Sequence, residues 1–97
     1  MSGEYLIRRT DGEWFSISAS RAAEAYRPTS FASERTEGWG DWRIRTNGVE
    51  ISFSYEDPGI QVTFETDCSS AVESQIIREI LENIERVTGQ KGHIVPL

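Results

Sequence analysis

Few residues in this 97-residue chain have types and spacing suited to chemistry, so they are taken first. Glu50 and Glu65 fall on one side of adjacent strand patterns with Ser52 between them, the kind of carboxylate pair a glycoside hydrolase uses across a sugar cleft. An open sheet face offers no such cleft, and these residues read better as solvated residues or cross-strand ion-pair members. His93 is the only imidazole, in a short terminal segment without an adjacent carboxylate or nucleophile to make it a general base. Cys68 precedes a helix start, where a thiol's pKa can fall, yet Asp67 beside it opposes a thiolate. One cysteine and one histidine do not make a zinc site of the usual ligands within one chain, and no calcium-loop spacing appears. No phosphate-binding glycine loop or nucleophile elbow is present. The expectation is no catalytic residue, no metal and no cofactor.

The elements that position these residues are clearer. From Asp41 to Glu65, polar and apolar residues alternate, interrupted by Asn47-Gly48 and Asp57-Pro58-Gly59. Such alternation broken by turn dipeptides predicts a three-stranded meander. A two-residue turn at Asn47-Gly48 sets Arg45 opposite Glu50, Ile44 opposite Ile51 and Trp42 opposite Phe53. The second turn is expected to set Tyr55 opposite Val62 and Phe53 opposite Phe64. One face is then apolar: Trp42, Ile44, Val49, Ile51, Phe53, Tyr55, Ile60, Val62 and Phe64. The other carries Arg43, Arg45, Glu50, Ser52, Ser54, Gln61, Thr63 and Glu65.

Two apolar-rich segments, Tyr5–Arg9 and Glu13–Ser18, flank Thr10-Asp11-Gly12 and predict an opening hairpin with Ile7 opposite Phe15. Ser20–Arg27 reads as a two-turn helix capped by Ser18 or Ser20 and stopped by Pro28. Residues 28–40 are polar and aperiodic, an expected loop. Ser70-Ala-Val-Glu73 has the pattern of a capping box. Behind it Val72, Ile76, Ile77, Ile80, Leu81, Ile84 and Val87 recur at helical spacing, with Glu79 and Glu82 assigned to the outer surface and Gly89 as the stop. Residues 92–97 read as a final strand or docked tail. The order β-β-α-β-β-β-α-β predicts one α+β domain over residues 1–97: a two-layer sandwich with the long C-terminal helix on the apolar face of an antiparallel sheet.

Charge frames the function. The net charge is −6, and residues from Val49 onward hold nine acids against three bases. That distribution argues against nucleic acid as a partner and suits a basic protein partner. No apolar stretch is long enough to span a bilayer or to form a signal core, so no membrane association and a cytoplasmic location are expected. Trp39, between Gly38 and Gly40, is the best candidate anchor, set against the plainer alternative that it folds back to cap the open end of the sheet, and Trp14 poses the same question. The reading is a small acidic protein-binding module, of inhibitor, immunity, antitoxin or adaptor type. Its expected contact residues are Trp39, Asp41, Arg43, Arg45, Glu50, Ser52 and Glu65. The alternatives are a homodimer or other homo-oligomer with function at its interface, and a small-molecule binder or enzyme with a pocket between helix and sheet.

Overall fold

The computed structural model describes residues 3–56 and 59–97. The strands are β1 (Glu4–Arg9), β2 (Ser33–Arg35), β3 (Trp42–Thr46), β4 (Val49–Glu56), β5 (Gly59–Phe64) and β6 (Gly92–Pro96). A 3-10 turn (Ala19–Arg21) runs into the short helix α1 (Ala22–Ala25), and α2 (Ser70–Thr88) is the long helix. All strands join one antiparallel sheet in the order β2-β3-β4-β5-β1-β6. With α2 on one face, the fold is the expected α+β two-layer sandwich.

The β3–β4 hairpin has the anticipated register, Trp42 with Phe53, Ile44 with Ile51 and Arg45 with Glu50. Asn47 and Gly48 both take positive φ (51° and 74°), as a type I′ turn demands. The β4–β5 register differs from expectation. Tyr55 faces Ile60, Phe53 faces Val62 and Ile51 faces Phe64, so the pairing is displaced by two residues. Because side chains alternate with period two, that displacement leaves every residue on its assigned face. The turn at Asp57-Pro58 lies outside the described residues.

The opening hairpin does not form. β1 lies between β5 and β6, in five-pair ladders to each, so neither edge is left for residues 13–18. That segment instead crosses the end of α2: the Ser16 amide donates to Gln90 Oε1, and Phe15 lies over Gly92. The strand assigned to it is replaced by β2, within the stretch expected to be loop. A local turn signal proposes a hairpin, but ladders to distant strands decide which pairing buries more.

The core is mainly aliphatic, with Tyr26, Phe53 and Phe64 as its aromatic members. Ile7, Ile51, Val62, Phe64, Ile76, Ile80 and Ile84 are fully buried between α2 and the sheet. Each such side chain contributes about 1.5–3 kcal/mol of gross burial. Tyr26 extends this core beneath α1, with its ring 4.8 Å from that of Phe53. Tyr55, expected inside, is 51% exposed, though its hydroxyl meets that of Tyr26 at 3.1 Å.

The start of α2 corrects the capping assignment. Ser69, not Ser70, is the N-cap and accepts from the Val72 amide at 3.2 Å. Glu73 is therefore one position too late to close a capping box. It is buried and accepts from the Tyr5 hydroxyl at 2.6 Å, tying helix to β1. Burial, then the Glu73 carboxylate, pushes the Tyr5 phenol up to about 12.

Glu79 is the second correction on this helix. It is 8% exposed rather than solvated. Its carboxylate accepts from the Thr29 amide (2.9 Å) and from the Ser30 amide (2.7 Å) and hydroxyl (2.6 Å). These bonds, Ser30 foremost, hold its carboxyl down at about 2, against 4.5 for an ordinary glutamate. One turn later Asn83 Nδ2 donates to the Arg27 carbonyl at 2.6 Å. Gln75, Glu79 and Asn83 thus form an i, i+4, i+8 polar ridge beside the apolar stripe, and it grips the start of the 28–40 segment.

Two outcomes follow. Ser69→Ala should lower stability by about 1 kcal/mol in chemical denaturation, whereas Ser70→Ala should change it by less than about 0.5. The Glu79 carboxyl titrates lower in the folded state than unfolded, so its stabilisation is complete above pH 4.5 and is lost as pH falls toward about 2. Glu79→Gln should lower stability at neutral pH and flatten the acid limb by up to one proton's slope, about 1.4 kcal/mol per pH unit. An unchanged acid limb in denaturation curves taken across that range would contradict this.

Candidate functional site

The sheet face opposite α2 carries an ordered charge ladder built by the β3–β4–β5 register. Arg43 projects from β3 and reaches Glu65, just past β5, through both terminal nitrogens: Nη1 donates to Oε2 at 2.8 Å and Nη2 to Oε1. Its Nε also lies 3.4 Å from Glu50 Oε2. On the same strand, Arg45 Nε donates to Glu50 Oε1 at 2.9 Å, and Nη1 contacts Glu34 of β2 at 3.2 Å. The sequence runs Glu34–Arg45–Glu50–Arg43–Glu65 across four strands, with no cation or anion of the set left single.

Depth separates the two arginines. The Arg43 side chain is only 14% exposed and that of Arg45 is 53% exposed. A planar guanidinium bound bidentately and shielded from water is the stronger arrangement. Accordingly the Glu65 carboxyl is lowered, first by its Arg43 hydrogen bonds and further by the Ser52 hydroxyl and the Trp39 indole. Arg43 is raised in turn, chiefly by Glu65.

What shields Arg43 is the chain itself. Residues 36–41 fold back over the ladder. The Thr36 amide donates to the Arg43 carbonyl at 2.9 Å, and its hydroxyl to Glu50 Oε2 at 3.2 Å. At the other end the Asp41 amide donates to the Phe53 carbonyl at 2.8 Å, while Asp41 Oδ2 accepts from the Tyr55 amide at 2.7 Å. The closeness needs glycine. A Cβ on Gly38 would stand 2.7 Å from Arg43 Nε, and Gly40 has φ 101° with the Phe53 carbonyl 3.0 Å from where its Cβ would be. Ser52, on the nominally wet face, is completely buried under this cover.

Between the glycines, Trp39 is 57% exposed. The same loop borders a cleft of about 360 Å³, lined by Arg35, Gly38, Asp41 and Trp42 among others but not by Trp39 itself. Arg35 caps the Trp42 ring, its guanidinium carbon 3.7 Å from the ring centre.

All seven expected contact residues therefore gather in one region, in unlike states. Arg43, Arg45, Glu50 and Glu65 are paired with one another, Ser52 is beneath them, Asp41 anchors the loop and Trp39 stands out. Sequence reading missed Thr36 and Glu34, because β2 was read as loop. Trp14 is 45% exposed on the segment that crosses α2, and its carbonyl accepts from Arg9. His93 is exposed on β6 opposite Arg8. The Cys68 thiol is pushed up by burial and then by Glu73, the reverse of what a reactive thiolate requires. No helix among the described residues is long and apolar enough to cross a membrane. Comparison with protein-family models, curated proteins and solved structures finds no match for this chain.

Removing Arg43 would strand the shielded Glu65 carboxylate, since Glu50 keeps Arg45, whereas removing Arg45 leaves Glu50 with Arg43 and Glu34 in water. Arg43→Ala should cost about 2–3 kcal/mol and Arg45→Ala less than about 1, measured by urea denaturation. Equal losses would mean that the loop does not shield the Arg43 pairs.

Proposed function

We propose that this chain is a protein-binding module that holds a basic partner through the Trp39 loop. One observation carries the reading: a tryptophan more than half exposed sits on a loop whose two ends are hydrogen-bonded to the sheet. Beyond the indole's interaction with Glu65, most of the side chain stays in water, where an aromatic gains nothing, and fixing it in advance lowers the entropy lost when a partner covers it. Tryptophan in such a position is the commonest type of interface anchor.

The charge distribution supports a basic partner. In the ladder, two arginines are set against three glutamates, so the wall is nearly self-neutralised. The nearby exposed acids are Glu37 and Asp41 on the loop and Glu56 at the end of β4. Set against the exposed Arg35 they leave a net negative potential around the loop, which favours fast, salt-sensitive association with a basic partner. In this reading Arg43, Arg45, Glu50, Ser52 and Glu65 form the platform, while Trp39, Glu37 and Asp41 make the contact.

The experiment is capture from the protein's own lysate at low salt, followed by a salt gradient, with wild type, Trp39→Ala and Trp14→Ala immobilised in parallel. A basic protein retained in stoichiometric amount by wild type and Trp14→Ala, but lost to Trp39→Ala, is the expected result. Truncating a central anchor should weaken binding by at least about 2 kcal/mol, roughly thirtyfold. Equal retention by Trp39→Ala would sink the assignment. Acrylamide quenching of free wild type against Trp39→Phe provides an independent check, since an indole already shielded in the free protein has no anchor to offer.

A further inference from the structure

A second cleft, of about 280 Å³, lies on the α2 side of the sheet, away from the charge ladder, where the 27–33 segment meets the C-terminal half of α2. Its wall includes Arg27, Thr29, Ser30, Ser33, Asn83 and Arg86. In an acidic protein, two arginines on one small cavity invite the question of what balances them. Among the described residues neither forms an ion pair, a state shared with Arg8, Arg35 and Arg78, while Arg9, Arg21, Arg43 and Arg45 are paired. Both are felt by the Glu24 carboxylate, which is itself bound by Arg21 at 2.9 Å. The other carboxylate at this segment, Glu79, is already engaged by the Thr29 and Ser30 amides, the Ser30 hydroxyl and Gln75.

The cleft is built rather than incidental. Arg86 Nη2 donates to Asn83 Oδ1 at 2.8 Å, and Asn83 Nδ2 binds the Arg27 carbonyl and, at 3.2 Å, Thr29 Oγ1. One buried asparagine thus orders both arginine-bearing elements about the cavity. On the β2 side the Ser33 hydroxyl is buried without a hydrogen-bond partner, a state that costs stability unless something answers it.

We propose that this cleft binds a small phosphate monoester. A phosphate dianion matches two guanidinium groups at once, whereas a carboxylate is satisfied by one arginine fork. The Thr29 and Ser30 hydroxyls are already bound to Asn83 and Glu79, which leaves the arginines as the main donors. The volume is at the lower end for ligand sites and suits a compact phosphorylated molecule. This site is separate from the Trp39 surface and does not depend on it.

The test is an NMR titration of amide shifts at low ionic strength with glycerol 3-phosphate, inorganic phosphate and acetate. Saturable shifts centred on Thr29, Ser33 and Asn83 are expected with the ester, with weaker response to acetate. Arg27→Gln and Arg86→Gln should each weaken binding about tenfold, and Ser33→Ala should weaken it less. Arg78→Gln, which removes the same charge elsewhere on α2, should leave it unchanged. Shifts that are absent, that do not saturate, that acetate reproduces, or that survive both arginine substitutions would overturn the site. Equal affinity for inorganic phosphate and the ester would overturn the ester in favour of the free anion.

Discussion

Burial of one aliphatic face of α2 against the sheet is the contact on which the other features rest. Ile76, Ile80 and Ile84 lie against strands whose own partners are far apart in the chain, and their burial offsets the entropy of bringing those strands together. Once the helix is docked, its neighbouring ridge of Gln75, Glu79 and Asn83 is placed where it can order a segment with no periodicity of its own. That segment then leads into β2, and β2 supplies Glu34 to the ladder. The apolar core thereby governs, through one polar ridge, a structure on the opposite face of the sheet.

The two faces are stabilised by different physics. Beneath α2 the chain relies on non-directional burial, tolerant of small shifts. On the other face it relies on directional ion pairs, in which the guanidiniums of Arg43 and Arg45 have set acceptors although the buried Ser52 and Thr63 hydroxyls do not. Such a ladder adds modest stability for its size, because desolvation cancels much of the Coulomb attraction. It is effective at fixing geometry. Arg43, held at both ends of its guanidinium, lies directly under the Gly38–Gly40 backbone, which carries the half-exposed Trp39.

Sheet edges bear on self-association. On β6, Pro96 has no amide to donate, and the Gly92 amide is taken by Glu85 Oε2 at 3.0 Å. β2, at the other edge, is only three residues long. Short and blunted edges are the usual means by which sheet proteins avoid open-ended pairing. A contact surface made of a projecting loop, rather than a strand edge, is consistent with that economy.

Local pattern alone determined the α+β class, the face to which each meander residue belongs, the β3–β4 register and the apolar stripe of α2. All of these are set by periodicity and by turn residues within a few positions, so one sequence suffices. Tertiary structure decided the rest. It placed β1 between β5 and β6, because competing ladders are compared only when distant strands meet. It moved the second strand from 13–18 to 33–35 and turned Glu79 from a presumed surface residue into the anchor of a loop. Its effect on the chemistry-bearing residues is of the same kind. Glu50 and Glu65 were legible as neighbours on one face, but whether a carboxylate faces water, a guanidinium or a partner depends on which segment folds over it. Here that segment is residues 36–41, whose path is set by backbone hydrogen bonds to β3 and β4, with Gly38 and Gly40 permitting the close approach.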